Sequence, residues 1–156
     1  MSTVFHTFLV ALVALALGGC NGEAPDTHPD QPVTKRRAVF KDMVRTLEPM
    51  GMVARERKAY LAPEFLANAQ ALQKLAVQPW PLFTADSNYP PTHARPEVWT
   101  QAADFQLAQH TFTGRVDALV QAAQGQDLAR IRAAVNDVQQ SCKACHDNFR
   151  SKASFD

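Results

Sequence analysis

The sequence lacks a strong charge of either sign, because 16 Lys and Arg side chains face 15 Asp and Glu, a formal net charge of +1. Nothing therefore points to nucleic acid or to an acidic substrate as a partner. It also has no apolar run long enough to cross a membrane in a mature protein, since residues 10–17 are too few. With 156 residues, 46% of them hydrophobic, the chain fits one ordinary globular domain, and residues 34–151 show neither an internal repeat nor a low-complexity tract.

The N-terminal apolar run has the form of an export signal. It leads into Leu17-Gly18-Gly19-Cys20, and small residues before a cysteine resemble a bacterial lipoprotein cleavage site. We therefore predict a lipoprotein-type signal peptide over residues 1–19 and a lipid on Cys20. The segment before the run carries no Lys or Arg, so an ordinary signal peptide that leaves Cys20 as a stray thiol is the alternative. The residue after the cysteine is Asn21 and not Asp, so nothing argues for retention at the inner membrane, and we expect the lipid anchor in the outer membrane.

Residues 20–33 are predicted to form a flexible tether between this lipid anchor and the domain. The segment contains three prolines and several polar residues but no apolar periodicity, so it cannot bury enough surface to order itself. The domain then spans residues 34–151, and residues 152–156 form a short tail. The protein is expected in the periplasm, with the lipid as its only contact with a membrane.

Four segments of the domain carry apolar residues at helical spacing. The first covers residues 40–54, where Pro49 predicts a kink that Gly51 would ease. The second covers residues 63–77, the third runs from near Pro96 to Gly125, and the fourth follows at once. Connections that are mostly short predict an all-α fold, an antiparallel four-helix bundle. The longer, proline-rich loop before Pro96 contains Trp80, Phe83 and Tyr89, so we expect it to pack on the domain.

The fourth helix carries the most informative motif, Cys142-Lys143-Ala144-Cys145-His146. Two thiols three residues apart can each add to one vinyl group of a haem, and the adjacent histidine can ligate the iron. Both cysteines continue the apolar stripe of this helix, which consists of Leu128, Ile131, Val135, Val138, Cys142, Cys145 and Phe149. The sequence therefore predicts one covalent haem c in the bundle interior near one end, with His146 as the metal ligand.

Other interpretations of the cysteine pair are a thioredoxin-like redox pair, half of a zinc site or a structural disulfide. A redox pair usually opens a helix after a strand, and no strand-like alternation precedes this one. A zinc site needs a second pair of ligands, but the only other cysteine is Cys20. The remaining histidines are scattered: His6, His28, His93 and His110.

At this point the chain resembles the class II cytochromes c, the cytochrome c′ family. Four stretches carry the resemblance: residues 36–40 (RRAVF), 75–80 (LAVQPW), 94–99 (ARPEVW) and 141–150 (SCKACHDNFR). The resemblance implies a four-helix bundle in which Cys142 and Cys145 form thioethers and His146 is the proximal iron ligand. It also implies that Arg150, one helical turn after His146, lies close to that histidine and to the haem. Phe149 stands where the family often has Tyr, and we expect it to pack in the core.

The residue on the opposite, distal side of the iron decides the subclass. Relatives with a methionine four residues after the first-helix arginine resemble low-spin, six-coordinate carriers of the cytochrome c556 type. Here the residue four after Arg36 is Phe40, and a phenyl ring cannot ligate iron. We predict that Arg36, Phe40 and Met43 are among the residues that contact the haem. We expect a five-coordinate, high-spin haem behind an apolar wall. Met43, one turn further along the same stripe, is the alternative sixth ligand, and His110 is a further one.

Such a site would bind nitric oxide and carbon monoxide, because Phe40 offers no hydrogen bond of the kind that bound dioxygen benefits from. A low-spin, Met/His-ligated electron carrier is the alternative function. A haem enzyme has the least support, since the first helix offers no polar acid–base group. The resemblance also implies a homodimer through the first two helices, although the charged residues 55–58 give no interface signal. The redox partner protein is not identified by the sequence.

Overall fold

The computed structural model describes residues 24–151 of the chain, and long helices account for most of them. The helices are α1 (Pro32–Ala54), α2 (Ala62–Leu75), the single turn α3 (Glu97–Thr100), α4 (Ala102–Gly125) and α5 (Leu128–Phe149), with one 3-10 turn at Trp80–Leu82. Within residues 24–151 the one β-type pairing is an isolated bridge between Ala94 and Arg150. The all-α prediction is confirmed. In the same range, no helix has the length and apolar character that a membrane crossing requires.

The four long helices close into a bundle in which each packs against two others. α4 contacts α5 and α2, and α1 contacts α2 and α5. Short connections of residues 55–61 and 126–127 join successive antiparallel helices. The side chains that are excluded most completely from solvent come from all four: Val33, Met50, Leu72, Val116, Leu119, Ile131, Val135 and Val138. The predicted four-helix bundle is therefore confirmed.

α5 begins at an N-cap formed by Asp127 and buries most of its predicted apolar face. The Asp127 carboxylate accepts hydrogen bonds from the backbone N–H groups of Ala129 at 2.9 Å and Arg130 at 3.2 Å, which satisfies donors at the helix start. Leu128 differs from the prediction, because it lies on the first turn of the helix and is 38% exposed. From Ile131 onward the stripe faces the core as predicted.

The predicted third helix is divided into two at Gln101. The backbone there adopts φ −118° and ψ 49°, so the turn α3 ends and α4 begins in a new direction. Val98 of α3 is buried and the Trp99 indole N–H donates to the Thr84 carbonyl at 2.9 Å. Val98 packs with Phe105 and Phe149, and Trp99 is bonded to the loop. These tertiary contacts override an apolar periodicity that predicted one continuous helix.

The start of the domain also differs from the predicted boundary. α1 begins at Pro32, and Val33 is fully buried, so the tether predicted for residues 20–33 is too long at its C-terminal end. Before it, the Asp26 carboxylate accepts from the Thr34 backbone N–H at 2.8 Å and from the Tyr89 hydroxyl. We call residues 26–31 the N-terminal strap. The predicted signal peptide (1–19), Cys20 and the tail (152–156) lie outside the described residues.

The hydrogen bond from Tyr89 to Asp26 should make stability depend on alkaline pH. Desolvation and this bond raise the pKa of Tyr89 to about 12, above its ordinary value of about 10. The contribution is therefore complete below about pH 10 and is lost as the pH rises towards 12. We expect Tyr89→Phe to lower the urea midpoint at neutral pH, with a difference from wild type that shrinks in this alkaline range, as followed by far-UV circular dichroism.

Tyr60→Phe is the matched control for that experiment. The Tyr60 hydroxyl is buried and has no hydrogen-bond partner, so its removal leaves no group unpaired and should leave the urea midpoint unchanged or slightly raised. Equal midpoint losses for the two variants would show that the bond between the strap and the loop contributes nothing of its own.

Candidate functional site

The two cysteines lie on the last two turns of α5 and point to the same side of the helix. Both thiols are free and half-buried, and a spacing of three residues is close to one helical turn. Cys142 packs against the main core, whereas Cys145 packs against a smaller cluster formed by Val98, Phe105 and Phe149. A single flat group attached to both sulfur atoms would therefore lie along α5 and touch both clusters.

The thiols are in the wrong surroundings for a reactive redox pair. Desolvation raises the pKa of Cys142, and desolvation together with the Cys142 charge raises the pKa of Cys145 to about 11. Redox-active cysteines instead have lowered pKa values, often at the start of a helix, and these lie at the end of one. Across residues 24–151 no three His, Cys, Asp or Glu side chains gather as a metal-binding group, so the zinc alternative finds no ligand set there.

His146 follows the second cysteine and is exposed on α5. Partial desolvation and then the Arg150 guanidinium lower the pKa of His146, so its imidazole is neutral at neutral pH, which is the form that binds metals. The Arg150 backbone N–H donates to the His146 carbonyl at 3.1 Å and ends the helix there. The structure thus brings together four predicted site residues: Cys142, Cys145, His146 and Arg150.

A cluster of aromatic side chains lies beside the cysteines, and we call it the aromatic cluster. It consists of Phe40, Trp80, Phe83, Phe105, Phe112 and Phe149. These rings come from α1, the loop, α4 and α5, and most contacts are edge-to-face with centroid distances of 5.0–6.3 Å. Trp80 packs against both the main core and the smaller cluster. The prediction that the loop aromatics pack on the domain is confirmed.

Phe40 and Met43, the predicted distal candidates, both face inward from α1. The Phe40 ring is 5.9 Å from Trp80 and 6.3 Å from Phe83 between centroids. Met43 belongs to the main core and is 6% exposed. The alternative ligand His110 is exposed on α4, which does not favour that alternative, and His93 is exposed as well.

Arg36 is the residue whose surroundings sequence reasoning missed. Its contact with the cofactor stays a prediction. In the structure its guanidinium donates four hydrogen bonds to the loop, and its side chain is 3% exposed. The acceptors are the Leu82 carbonyl (2.9 Å), the Ser87 hydroxyl (2.8 Å) and carbonyl (3.0 Å), and the Thr92 hydroxyl (2.6 Å). The sequence signal for this arrangement is weak, because Ser and Thr are ordinary in loops.

The residues present fit a haem. Two thiols on one side of a helix, a neutral histidine after them and a cluster of hydrocarbon rings supply attachment, ligation and an apolar surface. The Trp80 indole N–H is buried with no acceptor in the protein, and buried donors are almost always paired. A haem carries two propionate groups that accept hydrogen bonds, so it brings acceptors of the kind that this donor lacks.

Comparisons with known proteins agree with this geometry. Residues 31–150 match the family model described as Cytochrome C′. Cytochrome c′ of Alcaligenes xylosoxydans xylosoxydans is 36% identical over 124 residues, which cover 80% of this chain and 96% of that protein. A solved nitric oxide complex of a variant of cytochrome c prime from Alcaligenes xylosoxidans superposes with a TM-score of 0.77 at 35% identity, covering 81% of this chain and 98% of the other. A carbon monoxide-bound variant of that protein superposes at 0.76 with 34% identity, covering 82% of this chain and all of the other.

Phe105 should contribute strongly to stability because its ring contacts three others, with the Phe83 and Phe149 centroids at 5.0 and 5.2 Å. We expect Phe105→Ala to lower the free energy of unfolding by about 3–5 kcal/mol. Leu107→Ala on the same helix is the control, because Leu107 is 65% exposed and such a change stays within about 0.5 kcal/mol. Urea unfolding of the holoprotein measures both, and losses of similar size would contradict the role of the aromatic cluster.

Proposed function

The chain belongs to the cytochrome c′ family, and from that premise we propose that it is an exported c-type haem protein that binds nitric oxide and carbon monoxide at an open iron position. The observation that carries the proposal is the position of Phe40. Its ring packs edge-on against Trp80 and Phe83 in the aromatic cluster beside the cysteines, and it has no atom that can ligate iron. Solved relatives with bound nitric oxide and carbon monoxide support the same function.

One haem would be attached to the protein through residues of α5. Cys142 and Cys145 would each form a thioether, and His146 would ligate the iron from the proximal side. When bound, the haem supplies an iron centre that changes oxidation state and takes up small ligands. Arg150, whose charge already lowers the pKa of His146, would disfavour a positive charge on that imidazole.

The aromatic cluster would select among ligands because it offers them almost no hydrogen bonds. The rings of Phe40, Phe83 and Phe105 provide no hydrogen-bond donor, and the guanidinium of Arg36 is already bonded to the loop. The one donor among the rings of the cluster is the Trp80 indole N–H, from which a haem propionate would accept a hydrogen bond. A neutral diatomic gas loses little by entering such surroundings, whereas a polar or charged ligand would lose its hydration without compensation. Nitric oxide and carbon monoxide are therefore favoured over dioxygen, which gains from a donor.

The alternative is a low-spin electron carrier with Met43 as the sixth ligand. It is favoured by one observation: Met43 is buried on the same face of α1, about one turn from Phe40. A ligated methionine would close the position to gases and would leave electron transfer as the function.

We further propose that the mature protein is periplasmic and attached to the outer membrane by a lipid on Cys20. The support is the sequence of residues 17–20 and the export that assembly of a covalent haem c requires. A homodimer and an unidentified redox partner protein also belong to this proposal.

The optical spectrum of the purified holoprotein distinguishes the two functions. We expect the ferrous form to show a broad, unsplit Soret band and to gain a sharp band when carbon monoxide is added. Met43→Leu should leave both spectra unchanged, because Leu fills the same space without a ligand atom. Sharp, split α and β bands that ignore carbon monoxide in wild type but respond to it in Met43→Leu would establish the electron carrier instead.

Haem attachment can be tested by extraction with acidified acetone followed by mass spectrometry of the polypeptide. Cys142→Ala and Cys145→Ala should each retain the haem through the remaining thioether, whereas the double variant should release it. Lys143→Ala is the control, because Lys143 lies between the cysteines but is exposed. Release of haem from the wild-type protein would contradict covalent attachment.

A further inference from the structure

We propose that Arg36 is a positioning residue that controls how easily gases reach the haem, because it fixes the aromatic cluster by clamping the loop of residues 79–92 to α1. The inference rests on the proposed function, since it concerns access to the same iron. Arg36 itself need not touch the gas, the haem or the iron for this role.

The contacts of Arg36 attach the loop directly to α1. Four hydrogen bonds from its guanidinium go to neutral oxygen atoms of the loop, and the Asp26 carboxylate lies near enough for its charge to act on the guanidinium. Burying a guanidinium is costly, and these bonds together with an aromatic contact offset that cost. The acceptors on Leu82, Ser87 and Thr92 are distributed along a stretch with little regular structure, so one side chain fixes three separate points of it.

The clamp is connected directly to the aromatic cluster through Phe83. The Arg36 guanidinium lies over the Phe83 ring, 4.6 Å from its centroid. Phe40, one turn after Arg36 on the same face of α1, contacts the edge of that ring at 6.3 Å. Phe83 also lies 5.0 Å from Phe105 between centroids. Arg36 and Phe40 therefore both contact Phe83. If Phe83 became more mobile, Phe40, the proposed distal residue, would become more mobile too.

A second attachment of the same loop does not involve the cluster. The strap bonds to its outer side through Asp26 to Tyr89 and through His28 to Asp86, the latter at 3.1 Å. These contacts join polar side chains of the strap and loop and make no bond to Phe83. The bond from His28 to Asp86 therefore provides a comparison, because its loss loosens the loop from the strap without removing the contacts that define the aromatic cluster.

The test is the rate at which carbon monoxide associates with the ferrous holoprotein, measured by flash photolysis. We expect Arg36→Met and Arg36→Lys each to accelerate association about tenfold, the factor that corresponds to about 1.4 kcal/mol, because a loosened wall yields more easily to an entering ligand. Arg45→Met is the matched control on the same helix, since Arg45 is exposed and pairs with Asp42 at the surface. Asp86→Ala removes the bond to His28 and serves as the control for the strap, and both controls should bind at the wild-type rate.

The two Arg36 variants separate position from charge. Lysine keeps the positive charge but cannot make the forked set of bonds to the loop. If Arg36→Lys binds carbon monoxide at the wild-type rate while Arg36→Met does not, the charge acts and the clamp is refuted. The Ser87→Ala, Thr92→Val double variant leaves the arginine in place and removes two acceptors. This double variant should also accelerate carbon monoxide association. It tests the clamp even if the Arg36 variants do not fold.

Hydrogen–deuterium exchange of the ferric holoprotein supplies a readout that does not depend on gas binding. Arg36→Met should increase exchange in residues 79–92 and leave the middle of α5 unchanged. If wild type does not respond to carbon monoxide, the proposed function fails, and exchange still decides whether the clamp exists. If wild type responds but every variant matches its rate, the proposed function stands and this inference is wrong.

Discussion

Burial of one face of α5 against α4 and α1 determines where the two thiols can point. Ile131, Val135 and Val138 are almost completely excluded from solvent, and the helical repeat that buries them continues through both cysteines. A shift of one residue in that packing would rotate each thiol by about 100° and turn it away from the aromatic cluster. The hydrophobic free energy that closes the bundle therefore also orients the site, and no separate device is needed to aim the cysteines.

The bundle by itself does not complete the apolar surroundings of the site. Trp80 and Phe83 come from the loop between α2 and α3, where backbone groups have few regular partners, and buried backbone groups must be bonded to something. Arg36 supplies donors to two of these carbonyls and to two side-chain hydroxyls. The aromatic contacts and the polar contacts of the loop depend on each other, because the rings can pack only if the chain that carries them is held.

The apolar periodicity of the sequence predicted the elements whose position depends on burial in the core. It did not predict the segments whose position depends on polar contacts. The repeat of α5 predicted its buried face from Ile131 to Phe149, since each apolar side chain there gains by facing inward. The break at Gln101 was not predictable, because the contacts of Trp99 and Val98 that cause it come from distant parts of the chain. The strap was predicted to be mobile since it lacks apolar residues, but carboxylate and imidazole bonds attach it. The surroundings of Arg36 escaped prediction for the same reason.

Whether the site binds gases or serves as an electron carrier depends on which residue of α1, Phe40 or Met43, lies opposite the iron. Residues 40 and 43 share a face but differ by about 4.5 Å along the helix axis, so only one of them can lie opposite the iron. His146 follows Cys145, which packs against the smaller cluster together with Phe83. Phe40 packs on the main core as Met43 does, but its ring also contacts Trp80 and Phe83, which pack against that smaller cluster. These contacts link Phe40 to the surroundings of Cys145, which supports the proposed apolar distal side.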